Sequence, residues 1–119
     1  MIKCPYCPWE GPPQEFLKHI ETHSGEDRIW FGLINRDSLE GLLEDMLVAL
    51  DREDFESLLK ASVEASVIAG RYYDEGGWKE VGHHVYGDIA IVLLSAYKED
   101  WVEARGFLDD AKKYFARYA

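Results

Sequence analysis

The chain is poor in several things that common protein classes require. Its longest uninterrupted apolar run, Ile89 to Leu94, falls far below the ~20 residues of a membrane-spanning helix. No secretory leader is visible, so the expected location is intracellular, in the cytoplasm. Two cysteines are too few for a disulfide framework. Basic residues are scarce: 13 Lys and Arg stand against 23 Asp and Glu, a formal net charge of −10. Residues 26–70 carry four basic and eleven acidic groups, and neither remaining segment has a basic surplus. Affinity for nucleic acid rests largely on neutralising phosphates, so this balance disfavours it. An acidic chain suits solubility or a basic partner. Asn35, Gln14 and Thr22 are the only residues of their types, and scarcity of thermolabile amides beside many charges is a bias of thermophilic proteins. There is no glycine-rich phosphate loop. Ser24, Ser38, Ser57, Ser62, Ser66 and Ser95 fall in helix caps or helices without a readable His/Asp partner. A non-enzymatic protein is the expectation.

What is present begins with composition. With 47% hydrophobic and 13% aromatic residues, the chain is that of a folded protein. At 119 residues it has room for a small module and one helical core. The module is written in the first 23 residues, where Cys4, Cys7, His19 and His23 follow the spacing C-x2-C-x11-H-x3-H. Two thiolates and two imidazoles match the tetrahedral preference of Zn²⁺. Two residues between the cysteines let one tight turn present both sulfurs. His19 and His23, four apart, project from one helical face. A segment this short buries too little to fold by itself, so one structural zinc would have to supply its stability. Two cysteines and two core histidines could also gather by chance, but the agreement of residue types and spacings favours the metal.

Over residues 2–23, about a fifth of the chain, the sequence resembles the C2H2 zinc-finger family. Ile2 stands two before Cys4 and Phe16 three before His19, at positions where that family keeps apolar residues. The family's other core aromatic would fall at Gly11, and the spacing between the ligand pairs is eleven rather than the usual twelve. Trp9, the nearest aromatic, is expected to replace the missing ring. The resemblance implies a ββα unit, with Pro12 and Pro13 opening its helix at positions that need no N–H partner. It also implies a test for DNA reading. The base-reading positions correspond to Pro12, Glu15 and Lys18, of which only Lys18 suits the task. One finger covers only about 3 bp. A structural or protein-contacting role is therefore preferred.

The connecting segment 25–36 contains Ile29, Trp30, Phe31 and Leu33, expected to pack the finger against the rest of the chain or else to form a partner-binding patch. A first long helix starts near Asp37, with Glu40 completing a capping box and Leu39, Leu42, Leu43, Met46, Leu47 and Leu50 as its stripe. After the acidic turn 51–54 a second runs to about Tyr73, its middle made of Ala61, Ser62, Ala65, Ser66, Ala69 and Gly70, small enough for close helix approach. Gly76-Gly77 breaks it. The helix from about Lys79 to Lys98, striped by Val81, Val85, Ile89, Val92, Leu93 and Ala96, reads as the central one. Trp101, Ala104, Leu108, Ala111, Phe115 and Tyr118 mark the last.

Arg52-Glu53-Asp54-Phe55 is echoed by Lys98-Glu99-Asp100-Trp101 at an offset of 46. Helix, acidic turn and aromatic-led helix resemble tetratricopeptide hairpins, but such arrays need about three copies of about 34 residues. Two antiparallel hairpins forming a four-helix bundle explain the same pattern. Glu80, His83, His84 and Asp88 form the remaining polar cluster of ligand types. Glu80-x-x-His83 is half of a di-iron carboxylate motif, and no second copy exists. Solvated or core-capping side chains are the expectation, with an adventitious or interfacial metal on Glu80, His84 and Asp88 as the alternative.

The sequence thus predicts a mainly all-α protein: a zinc finger at 1–24, a connector at 25–36 and a helical bundle at 37–119. It is expected to work by contact with another protein or a second copy of itself. The alternative is a DNA-binding regulator in which oligomerisation multiplies Lys18-bearing fingers.

Overall fold

The structure, a computed structural model, describes residues 1–22, 36–74 and 79–118. Strands β1 (Ile2–Lys3) and β2 (Glu10–Gly11) pair antiparallel, Ile2 opposite Gly11 and Lys3 opposite Glu10. Five helices come after them: α1 (Pro13–Glu21), α2 (Arg36–Asp51), α3 (Phe55–Asp74), α4 (Lys79–Tyr97) and α5 (Trp101–Tyr118). The fold is mainly helical. Proline is absent beyond Pro13, so nothing interrupts the backbone hydrogen bonds of the four long helices.

These four make a bundle-like body in which α3 packs on α2 and α4, α4 on α5, and α5 back on α2. The apolar stripes point inward as their periods demand. Leu39, Leu43, Met46 and Leu50 of α2 are buried, with Leu42 and Leu47 at the flanks. Leu58, Ala61, Ser62, Ala65, Ser66 and Ala69 of α3 are buried too, the small residues letting its neighbours approach closely. Helix α4 takes the central place expected of it, packed on three other helices, but it is not encircled. Ile91 is 37% exposed, because α4 shares its contacts among α3, α5 and α1 and leaves one face to solvent.

The packing register is readable from side-chain pairs. Between α4 and α5, Ser95 donates to Glu103 at 3.1 Å, and the His84 ring stacks on Tyr114. Between α5 and α2, Arg105 pairs with Asp51 and Lys112 with Glu44. In each set one partner's number rises as the other's falls by the same amount, so α5 runs antiparallel to both neighbours. The two ion pairs are largely solvent-exposed and contribute little energy each; they fix alignment.

The 46-residue echo is a repeat in three dimensions. After α2, Asp54 N–H donates to Ala49 C=O at 2.9 Å and Glu53 N–H to Leu50 C=O at 3.0 Å. After α4, Asp100 N–H donates to Ser95 C=O and Glu99 N–H to Ala96 C=O, both at 2.9 Å. Both are Schellman closures, which place one residue in the left-handed region. That residue is glutamate each time, with φ 51° at Glu53 and 63° at Glu99. The next aspartate caps the succeeding helix: Asp54 accepts from Ser57 N–H at 3.2 Å and Asp100 from Glu103 N–H at 3.1 Å. Asp54 thereby sits below the usual carboxylate range, held there first by Ser57.

The N-terminal module docks on this body rather than hanging from it. Helix α1 contacts α4 and α3, and Ile2, Cys4, Phe16 and Ile20 belong to the same buried cluster as the body's core. Burying a side chain such as Phe16 is worth roughly 1.5–3 kcal/mol. The Met1 ammonium also donates to Tyr97 Oη at 2.6 Å. The expected patch Ile29, Trp30, Phe31 and Leu33 lies outside the described residues. No described helix is long and apolar enough to cross a membrane.

Because glycine occupies the left-handed region without steric cost, Glu53→Gly and Glu99→Gly are each expected to raise stability by about 0.5–1 kcal/mol. Urea unfolding of the single variants measures this. A lowered midpoint in both would mean that the glutamate side chains contribute more than their backbone strain costs.

Candidate metal centre

The site is built by a short ladder, a tight turn and one helix. Cys4 N–H donates to Trp9 C=O at 2.9 Å, extending the β1–β2 pairing so that residues 4–9 close into a loop carrying both cysteines. Backbone N–H groups of Tyr6 and Cys7 approach the Cys4 sulfur and favour its thiolate. They are outweighed by burial, which pushes the Cys4 thiol up, and by the adjacent Cys7, which adds to the rise. The balance favours the protonated Cys4 thiol, and a bound cation would reverse it.

Helix α1 brings the third donor. Pro12 precedes it in extended conformation, and Pro12 C=O accepts from Glu15 N–H at 3.1 Å and Phe16 N–H at 3.0 Å. One turn later His19 Nε2 lies 3.1 Å from Cys7 Sγ, close enough for the thiol to donate to the ring. Cys4, Cys7 and His19 each offer one ligand atom, all within 4.8 Å of one another. Around a tetrahedral divalent ion, sulfur and nitrogen donors stand about 3.5 Å apart, so the Cys7–His19 pair is already gathered to within a few tenths of an ångström. The three could hold a metal ion. The helix is capped at Thr22, whose N–H and hydroxyl both donate to His19 C=O at 2.9 and 2.7 Å. His23 lies outside the described residues.

Trp9 fills the place left by the glycine. Its indole stacks on the His19 imidazole with centroids 4.7 Å apart and planes 9° from parallel, and it meets Phe16 at 5.6 Å. A Cβ at Gly11 would come within 2.7 Å of the Trp9 ring, so the two residues are a matched pair. Tyr6 ties the loop to the body by donating to Glu64 of α3. Burial, then that carboxylate, push its phenol well above the ordinary range. Pro12, Glu15 and Lys18 are exposed, with one cation among them.

A second group of ligand types lies across α4 and α5. His84 Nε2 stands 2.8 Å from Asp110 Oδ2 and 3.3 Å from Asp88 Oδ2. Asp88 is buried, and burial, followed by the neighbouring Asp110 carboxylate, raises its carboxyl to about 7. Asp110 is held low, by Asp88 first and then by His84. Of the four residues singled out in the sequence, the fold joins His84 and Asp88 only; Glu80 and His83 are exposed and outside the group. The partner missed was Asp110. Its signal was the hairpin register: α4 and α5 are joined by a short turn, so Asp88 and Asp110 lie equally far from its centre.

Gly11→Ala is expected to push the indole off His19, costing about 1–3 kcal/mol as overpacking does. In NMR spectra the His19 ring protons should lose their ring-current shift; unchanged resonances would contradict the pairing. Comparison of the chain with protein-family models, curated proteins and solved structures found no match, so function rests on the geometry alone.

Proposed function

We propose that the chain is a non-enzymatic zinc-binding protein, in which Cys4, Cys7, His19 and His23 hold one structural Zn²⁺ in a C2H2-type finger at residues 1–24. The convergence of Cys4, Cys7 and His19 on one point carries this reading, together with the backbone N–H groups at the Cys4 sulfur. Four protein donors leave no open position on the ion, which is the arrangement of structural rather than catalytic zinc. The body, with α5 antiparallel to both neighbours, suits a four-helix bundle of two hairpins.

The function this implies is interaction: a regulatory adaptor that meets another protein, or a second copy of itself, through a surface of net charge −10. A basic partner is the electrostatic complement. DNA reading is disfavoured by exposed Glu15 and Pro12 beside a single Lys18. A purely structural finger is the second reading, favoured by the burial of Ile2, Phe16 and Ile20 in the common core.

Metal analysis should return one zinc held by the cysteines, and Cys4→Ser should abolish it while destabilising the fold by several kcal/mol. A zinc-free chain with two titratable thiols would overturn the proposal. Light scattering at micromolar concentration tests self-association. Salt-dependent retention on DNA, weakened by Lys18→Ala, would instead favour the regulator.

A further inference from the structure

We propose that His84, Asp88 and Asp110 form a second, independent site for a divalent transition-metal ion on the α4–α5 face. The spacing is that of a ligand set: His84 Nε2 lies 2.8 Å from Asp110 Oδ2 and 3.3 Å from Asp88 Oδ2, and all three ligand atoms fall within 4.8 Å of one another. Two donors, each about 2.1 Å from one ion, are separated by about 3.0 Å at an octahedral angle and about 3.4 Å at a tetrahedral one. The two distances from His84 lie within a few tenths of an ångström of that range, without rearrangement of either helix.

The buried member shows what is missing. The Asp88 side chain is 9% exposed, and its Oδ2 has no hydrogen-bond partner among the described residues. That oxygen has lost its water and keeps only the 3.3 Å approach of His84 Nε2, and a second carboxylate beside it adds repulsion. A cation between Asp88, Asp110 and His84 relieves both. The frame is rigid: Asp88 and His84 are one turn apart on α4, and Asp110 faces them from α5. Tyr114 stacks on the imidazole at 3.9 Å and 7° and fixes its plane.

The donor set names the class of ion. Two carboxylates and one imidazole suit borderline first-row divalent ions such as Mn²⁺, Co²⁺ or Zn²⁺, and lack the thiolates that select softer ones. The site differs in kind from the cysteine centre. His84 is 38% exposed and Asp110 57%, so one side of the ion faces solvent and keeps positions for water or an exogenous anion. Open coordination of this sort binds ligands; closed coordination holds a fold together.

Titration of the intact chain, first loaded with one equivalent of Zn²⁺, with Co²⁺ separates the two sites. Calorimetry should show a further equivalent of Co²⁺ binding, with weak visible bands and no thiolate-to-cobalt charge transfer. Asp110→Asn and His84→Gln, both at partly exposed positions, should weaken this event about a hundredfold or more and leave the zinc at Cys4 and Cys7 in place. Circular dichroism confirms that each variant is folded. Asp88→Asn, whose amide resembles the protonated carboxyl, should behave likewise. Absence of Co²⁺ binding at millimolar concentration, or variants that bind as the parent does, would overturn the proposal. If the cysteines take up no zinc, the same titration without added Zn²⁺ shows Co²⁺ binding at this site with no charge transfer, which separates failure of the cysteine centre from failure of this one.

Discussion

A segment of some twenty residues cannot hold itself together by burial, and the N-terminal module overcomes this with two anchors at once. One is the gathering of Cys4, Cys7 and His19 around a common point. The other is the insertion of Phe16 and Ile20 into the core shared with α3 and α4. Each depends on the other. The α1 helix presents His19 on the face adjoining Phe16, and Trp9 bridges the two by touching both rings. Tyr6 and the Met1 ammonium then tie the module to Glu64 and Tyr97. A metal at this point would stabilise the whole N-terminal edge of the body, because the buried cluster does not stop at the module's boundary.

The body relies on a different device, a turn used twice. Apolar stripes alone set which face of each helix is buried, but they leave the direction of the next helix open. The Schellman closure and the aspartate cap beside it fix that direction, and their recurrence after α2 and α4 gives the two hairpins the same corner. Accepting glutamate at a positive φ in both copies shows that backbone strain of this size is tolerated when a helix end and a helix start are satisfied together. The Arg105–Asp51 and Lys112–Glu44 pairs then register one hairpin against the other.

How much of this was written locally depends on the range of each interaction. The four long helices, their stripes and the acidic turn 51–54 were legible because they depend on residues three or four apart. The echo at Asp100 was legible for the same reason. Trp9 as the substitute for the ring missing at Gly11 was also readable, since the two positions are two residues apart in the chain. The exposure of Ile91 was not: its helix is central, yet whether that side chain of the apolar run meets protein or water depends on which helices pack beside it. Asp110 was likewise invisible from α4, since its meeting with Asp88 and His84 requires the α4–α5 register. The docking of Phe16 and Ile20 on α3 and α4 is longer-range still, and no local pattern encodes it.

If the module and the body share one core pinned by a metal, removing the metal must loosen both sides of their contact. Hydrogen exchange of the zinc-loaded chain before and after chelation measures this directly. Protection should be lost across residues 2–22 and along the faces of α3 and α4 that meet α1, while the contacts of α2 with α5 keep theirs. Unchanged protection in residues 2–22 after the metal is removed would contradict it.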